Sequence, residues 1–312
     1  MAGGKRPRFG SLQYYPRKRA AKQIPSVNWR VVKGDGILGF IGYKVGMATA
    51  YVKDNTQKSM TLGKKISIPV TIIEMPNMKV FSVRFYKNSH AIKDVIVSND
   101  KELKRKVKVP KTLKNFDAEV PKDYDDVRII VYSLPSQTSV KKTPDIIELA
   151  VGASNKLDFI KTLIGKEITP DAFFKNMLVD ARALTKGKGL VGPVKRFGIS
   201  LKAHKSEKGV RRPGSLAPWH PARVTFRTPM AGQLGMFSRV NYNENVVHSG
   251  KISEKNINPP SGFTHYGNIN TNYILLKGSV QGPAKRQVLL TPSFRPTKLQ
   301  AKKKFEFIEV IA

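Results

Sequence analysis

The chain has 312 residues, with 56 Lys and Arg against 22 Asp and Glu, a formal charge of +34 at pH 7 and no cysteine. The missing cysteines exclude disulfides, thiolate zinc sites and a thiol nucleophile. No apolar run approaches the roughly 18–20 residues of a membrane span, and a globular protein this positive repels itself, so the charge points to a polyanionic partner, nucleic acid before membrane. A hydrophobic content of 40% supports one large or two smaller domains. The N-terminal MAGGKRPRFG lacks the apolar region of a secretory signal, and the expected compartment is the cytoplasm.

Residues 1–34 carry nine Lys and Arg and no acid: Lys5, Arg6, Arg8, Arg17, Lys18, Arg19, Lys22, Arg30 and Lys33. Pro7, Pro16 and Pro25 are spaced through this segment, which predicts an extended basic arm. A solubilising tail is the plain alternative. Against it stand Phe9, Leu12, Tyr14 and Tyr15 among the cations, since aromatics stack on bases.

From residue 36 the texture turns to strands. GILGFIGYKVGMATAYVKD predicts two strands around a Gly-rich turn, and KKISIPVTIIEMP and KVFSVRFYKN supply two more. Glycines 36, 39, 42 and 46 are expected at the tight corners of a small barrel, whose first part spans 35–93. Residues 94–180 hold 14 of the 22 acids and 15 Lys and Arg, so they are nearly neutral. There DVRIIVYSLP predicts a strand. PDIIELAVGASNKLDFIKTLIGKEITPDAFF has helical apolar spacing, with Ser154 or Asn155 as cap and Asp158 in an early turn. This is read as an α+β insert facing solvent or protein.

After a return to the barrel over 181–197, the acids nearly vanish. Residues 186–239 contain twelve Lys and Arg with the single acid Glu207. The run includes RRPGSLAPWHPARVTFRTPMAGQLG, too rich in proline and glycine for a helix and too charged for a core strand. It places Trp219, one of two tryptophans, where its own neighbours cannot bury it. Residues 198–240 are therefore expected to run out and back as a long central loop, turning near 213–220. A loop of that length without regular structure is unusual unless it is functional. Residues 241–312 return to strand-like alternation, with a basic turn at Lys285 and Arg286, and are expected to close the barrel.

Catalysis lacks its groups. The five histidines, His90, His204, His220, His248 and His265, form no H-E-x-x-H pair and suggest no metal site by spacing. Glu207 stands alone among cations. TKGKGLVGP invites a phosphate-loop reading, but G-x-x-x-x-G-K-[ST] is absent. A nucleic-acid reading finds its groups at once in Lys186, Lys188, Lys195, Arg196, Lys202, Lys205, Lys208, Arg211, Arg212, Arg223, Arg227 and Arg239. A solvated charged face normally mixes signs, and this run does not. No helix-turn-helix or zinc-finger pattern occurs, and irregular basic loops with stacking groups suit RNA.

KGLVGPVKRFG, GSLAPWHPARV and TPMAGQLGMFSR resemble the central extension of the universal large-subunit ribosomal protein L-three family. RFGSLQYYPRKRA and SGFTHYGNINTNYILLKGSVQGPAKRQVLL resemble its archaeal and eukaryotic branch. The resemblance implies a mainly β fold with an α+β insert: a translation-factor-like closed β-barrel body, a long irregular central finger loop and an extended basic N-terminal arm. It also implies binding near the 3′ end of the large rRNA, an early role in subunit assembly, and a tryptophan finger reaching toward the peptidyl-transferase centre. Trp219 matches the fingertip, Met230 to Gln233 the returning arm, and Arg17 to Arg19 the N-terminal extension.

The rRNA contacts expected in the finger are Lys195, Arg196, His204, Lys205, Arg211, Arg212, Gly214, Ser215, Trp219, His220, Arg223, Arg227, Gln233 and Arg239. Lys5, Arg6, Arg8, Arg17, Lys18 and Arg19 are expected from the arm, with Lys186, Lys188, Lys285 and Arg286 elsewhere. The implied partners are large-subunit rRNA and neighbouring ribosomal proteins, including the fourteenth universal protein of that subunit. No membrane, no self-association and no cofactor of its own are expected, beyond Mg2+ or K+ held by the rRNA. Two rivals remain. An RNA-modifying enzyme would bind a cofactor, and a DNA-compacting protein would hold duplex DNA as tightly as structured rRNA.

Overall fold

The computed structural model describes residues 14–173 and 178–311. The chain passes through β1 (Gly36–Ile37), β2 (Phe40–Asp54), β3 (Lys65–Met75), β4 (Met78–Lys87) and β5 (His90–Ile96). Next come α1 (Phe116–Glu119), β6 (Asp126–Ser133), β7 (Ile146–Gly152), α2 (Lys156–Leu163) and β8 (Leu178–Leu184). β9 (Leu190–Val191), α3 (Pro193–Phe197) and β10 (Gly232–Gln233) follow. The last elements are β11 (Ser238–Lys251), β12 (Asn272–Lys277), β13 (Gln287–Pro292), α4 (Lys298–Ala301) and β14 (Phe305–Ile311). The fold is mainly β. Two compact units result: the N-terminal segment to Lys22 with Leu184–Ser238, and Gln23–Ala183 with Arg239–Ala312.

The larger unit holds two sheets. One has the order β13-β8-β11-β12-β3-β2-β14, and β13 also pairs with β2. Six of its strands therefore form a closed circuit of hydrogen-bonded neighbours. β2 makes this possible by its length. Along one edge it pairs with β3, and along the other with β13 through residues 40–43 and with β14 through residues 49–54. The expectation of two strands around a Gly-rich turn is corrected here, since Phe40–Asp54 is one strand with a register shift between Lys44 and Gly46. Gly42 within it and Gly39 just before it give clearance rather than a turn: a Cβ on Gly42 would lie 2.4 Å from Ile73 Cγ2, and one on Gly39 would lie 2.8 Å from Leu149 Cδ2.

The other sheet has the order β1-β7-β6-β4-β5. It draws β4 from before residue 94 and β6 and β7 from after it, with β5 running across that position. Residues 146–152 form β7 rather than the first turns of a helix, because Ile146, Ile147 and Val151 are β-branched, the two isoleucines pairing with β6 and Val151 with Ile37 of β1. The helix is confined to the eight residues of α2, with Asn155 as its N-cap. Tyr43 ties the two sheets together. Its buried hydroxyl hydrogen-bonds Ser133 Oγ at 2.8 Å and donates to Asp145 Oδ2 at 2.9 Å.

Residues 23–33, assigned to the basic arm from sequence, fold with this unit. Trp29 and Val32 are buried in the same core as Phe40, Leu149 and Leu289. Burying one such side chain is worth about 1.5–3 kcal/mol, enough to hold a short basic segment in place.

Candidate nucleic-acid interface

The smaller unit is organised by a short ladder. Gly232 pairs with Val191 and Gln233 with Leu190. Lys188 N donates to Leu234 O at 2.9 Å, Leu234 N to Gly189 O at 2.9 Å, and Thr185 N to Phe237 O at 3.0 Å. Gly235 has φ +83, and a Cβ there would lie 1.9 Å from Lys186 O, so the ladder admits only glycine at this point. Gly187 lies close to Met236 in the same way, with 2.9 Å between a built Cβ and Met236 Cγ. The Gly-Lys alternation of TKGKGLVGP therefore serves backbone packing, while Lys186 and Lys188 are exposed.

α3 sits at the root of the loop. Gly192 precedes it, Pro193 opens it and Gly198 closes it in the left-handed region at φ +67. Lys195 points to solvent. Arg196 instead donates from Nε to Gln233 O at 3.0 Å, and from Nη1 to Met230 O at 3.0 Å and Ala231 O at 3.5 Å. The Arg196 carbonyl accepts from Arg17 Nη1 at 3.2 Å. Arg17 also lies over the rings of Phe197, at 4.4 Å, and Tyr15, at 5.4 Å. Desolvation, with Arg17 nearby, pushes the Arg196 guanidinium below its ordinary pKa. Gln233 turns its side-chain amide back to Gly235 O at 3.1 Å. The structure thus gathers Arg17, Arg196 and Gln233 at the root.

Residues 199–231 contain no helix or strand. Lys202 N donates to Val210 O at 3.0 Å, and Thr228 Oγ1 to Leu216 O at 2.8 Å, so the returning chain is tied to the outgoing one. Ile199, Lys202, Arg212, Leu216, Arg223 and Phe226 help line one concavity of about 1140 Å³. Phe226 meets Tyr15 edge to face at 5.8 Å. Trp219 is 88% exposed, and His204, Lys205, Arg211, Arg212, Gly214, Ser215, His220, Arg223 and Arg227 are exposed as well. Lys18 and Arg19 are also exposed, whereas Lys5, Arg6 and Arg8 lie outside the described residues.

Arg239 is half-buried, and Lys285 and Arg286 belong to the larger unit, in the turn before β13. Lys285 N donates to Lys44 O at 2.8 Å, and Lys44 N to Arg286 O at 2.9 Å.

Among the described residues, no cation from Lys186 to Arg227 has a carboxylate within ion-pair distance; the ion pairs lie in the larger unit, as in Arg84 with Asp94. Uncompensated cations on an irregular backbone are suited to a polyanion. Sequence reasoning missed the apolar side of this surface. Leu190, Leu201, Val224, Phe226 and Met230 are exposed alongside Trp219, and the signal was their placement in a segment without strand or helix periodicity. No group of three or more His, Asp or Glu is placed to hold a metal ion, and no helix is long and apolar enough to cross a membrane, among the described residues.

Fold and surface together define a class: a mainly β protein carrying a loop-borne, unneutralised basic surface with apolar groups set among the cations. A family model described as Ribosomal protein L3 matches residues 1–108 and 83–310. The large ribosomal subunit protein uL3 of Methanosphaera stadtmanae is 40% identical over 310 residues, covering 93% of this chain and 92% of that protein. Those of Methanocaldococcus jannaschii, at 39% over 310 residues, and Methanothermobacter thermautotrophicus, at 40% over 316, cover 93% and 95% of this chain and 92% and 94% of their own length. The chain belongs to the ribosomal protein L3 family, whose members are structural rather than enzymatic.

Proposed function

We propose that this protein is a structural constituent of the large ribosomal subunit, acting in the cytoplasm by binding large-subunit rRNA. The closed strand circuit serves as a translation-factor-like barrel body near the rRNA 3′ end. Residues 198–240 are the finger, with its tip near 213–220, and the segment before residue 23 is the basic arm. The observation that carries this reading is Trp219, 88% exposed on a segment whose cations from Lys186 to Arg227 have no acid partner among the described residues. An apolar ring held out among cations has its burying partner elsewhere, and stacked bases between phosphates supply both halves of that partner.

In this reading the finger approaches the peptidyl-transferase centre and the protein joins the subunit early, beside other large-subunit proteins including the fourteenth universal one. Arg17 and Arg196 hold the root of the finger, while Arg211, Arg212, Arg223 and Arg227 meet phosphates. Mg2+ or K+ at the interface belongs to the rRNA.

Neutralised phosphates release counterions, so affinity for a large-subunit rRNA transcript is expected to fall steeply with salt, by about 0.7–0.9 in log–log slope per contact. Filter binding across a salt series measures it. A nearly flat dependence, or failure of the tagged protein to sediment with large subunits at high salt, would reject the reading.

A further inference from the structure

The near-neutral composition of residues 94–180 conceals a separation of charge. Its acids are largely consumed around the five-stranded sheet. Arg84 holds Asp94 at 2.6 Å and Glu148 at 3.3 Å, and Arg128 holds Glu148 at 2.8 Å and Asp126 at 3.1 Å. Lys93 and Lys114 share Glu119, and Lys161 takes Asp117 at 2.6 Å. Asp100 accepts from Tyr132 Oη at 2.5 Å and from Lys79 at 3.4 Å. What remains is residues 101–111, where Lys101, Lys104, Arg105, Lys106, Lys108 and Lys111 face the single acid Glu102.

All six cations are exposed. None of the five lysines has a carboxylate within ion-pair distance among the described residues, and Arg105 donates to Lys142 O at 2.9 Å. The segment is nonetheless held in place. A 3-10 turn over Lys101–Arg105 is seated by the fully buried Leu103, and Val107 and Val109 pack with it against Tyr132 and Leu134. With the valines turned inward, Lys106 and Lys108 take the alternate, outward positions.

We infer that residues 101–111 form a second RNA-binding surface, a lysine ridge on the insert that lies along a phosphate backbone. An acidic protein segment is the other occupant such charge could take. Protein interfaces, however, are centred on apolar or aromatic anchors and are depleted in lysine. Here the apolar side chains are spent inward, and only ammonium groups face out. Phosphate contacts need nothing more than that. The inference rests on the rRNA reading above only for the identity of the polyanion.

Three full-length proteins separate the possibilities: the wild type, one with Lys101, Lys104, Lys106 and Lys108 all changed to Gln, and one with Arg211, Arg212, Arg223 and Arg227 all changed to Gln. Each is titrated with an in vitro transcript of the large-subunit rRNA over roughly 50–200 mM salt, after thermal unfolding confirms an unchanged fold. The ridge variant is expected to lose about 3 from its log–log slope, so its affinity changes about 60-fold less across that range.

If it keeps the wild-type slope while the finger variant loses slope, the ridge is rejected and the finger reading stands. If the ridge variant alone loses slope, the finger reading falls and the ridge stands. Both keeping the wild-type slope rejects both. A ridge variant that keeps its RNA slope but no longer binds polyglutamate assigns the surface to an acidic protein and overturns the inference.

Discussion

Trp219 is informative because it adds almost nothing to the protein alone. At 88% exposed it has little apolar contact to lose, so Trp219→Ala is expected to shift the unfolding free energy by no more than about 0.5 kcal/mol. Its loss should instead weaken rRNA binding by about 1–3 kcal/mol, the worth of one stacked base. Calorimetry of the isolated protein and titration with the rRNA transcript measure the two halves; a drop in Tm without a loss of binding would make the residue structural. Glu244 is the opposite kind of residue. It is half-buried, and desolvation, with Asp180 adding like charge against a hydrogen bond from Asn241, pushes it up to about 7 from 4.5. The folded protein therefore holds this proton more tightly than the unfolded chain does. Its contribution is complete below pH 4.5 and is lost as pH rises through about 7. Glu244→Gln keeps the neutral form at every pH. The variant should gain on the order of 1 kcal/mol over the wild type on going from pH 5 to pH 8, seen as a smaller drop in Tm.

At the level of elements, residues 199–231 form a loop whose root is pinned by arginine and whose two arms are tied to each other at few points. Arg196 spans from α3 to the carbonyls of Met230, Ala231 and Gln233, while Arg17 holds the Arg196 carbonyl. Arg196→Ala leaves those three carbonyls without their donor and opens the root. The expected result is faster proteolytic cleavage within residues 199–231, with the unfolding transition of the sheet-bearing unit unchanged. Arg196→Lys should not restore protection, because one ammonium cannot reproduce the guanidinium fork. Equal cleavage rates in wild type and Arg196→Ala would show that the loop is held by other means. Elements also account for the misreading over 146–152. Apolar spacing in IIELAVG fits a helix as well as a strand, and the choice was made by pairing with β6 on one edge and with β1, far away in sequence, on the other.

At the scale of the molecule, two kinds of information were distributed differently. The sequence by itself determined that the protein is strongly basic, mainly β and without catalytic or thiol chemistry. Residues 198–240 already stood out as a long loop within the basic run 186–239, because composition, proline and glycine placement and local alternation are properties of neighbouring residues. The motifs around Trp219 carry the family resemblance in the linear sequence alone. Tertiary structure decided what depends on residues distant in the chain. It made β2 one strand serving β3, β13 and β14, drew Trp29 out of the basic arm into the core, and turned Arg196 from a surface cation into the pin at the root of the loop over 199–231. It also decided which charges remain unpaired. A count over 94–180 sees near-neutrality, but ion pairing acts within a few ångströms in space, and the fold spent the acids on Arg84, Arg128 and their neighbours while leaving the lysines of 101–111 facing outward.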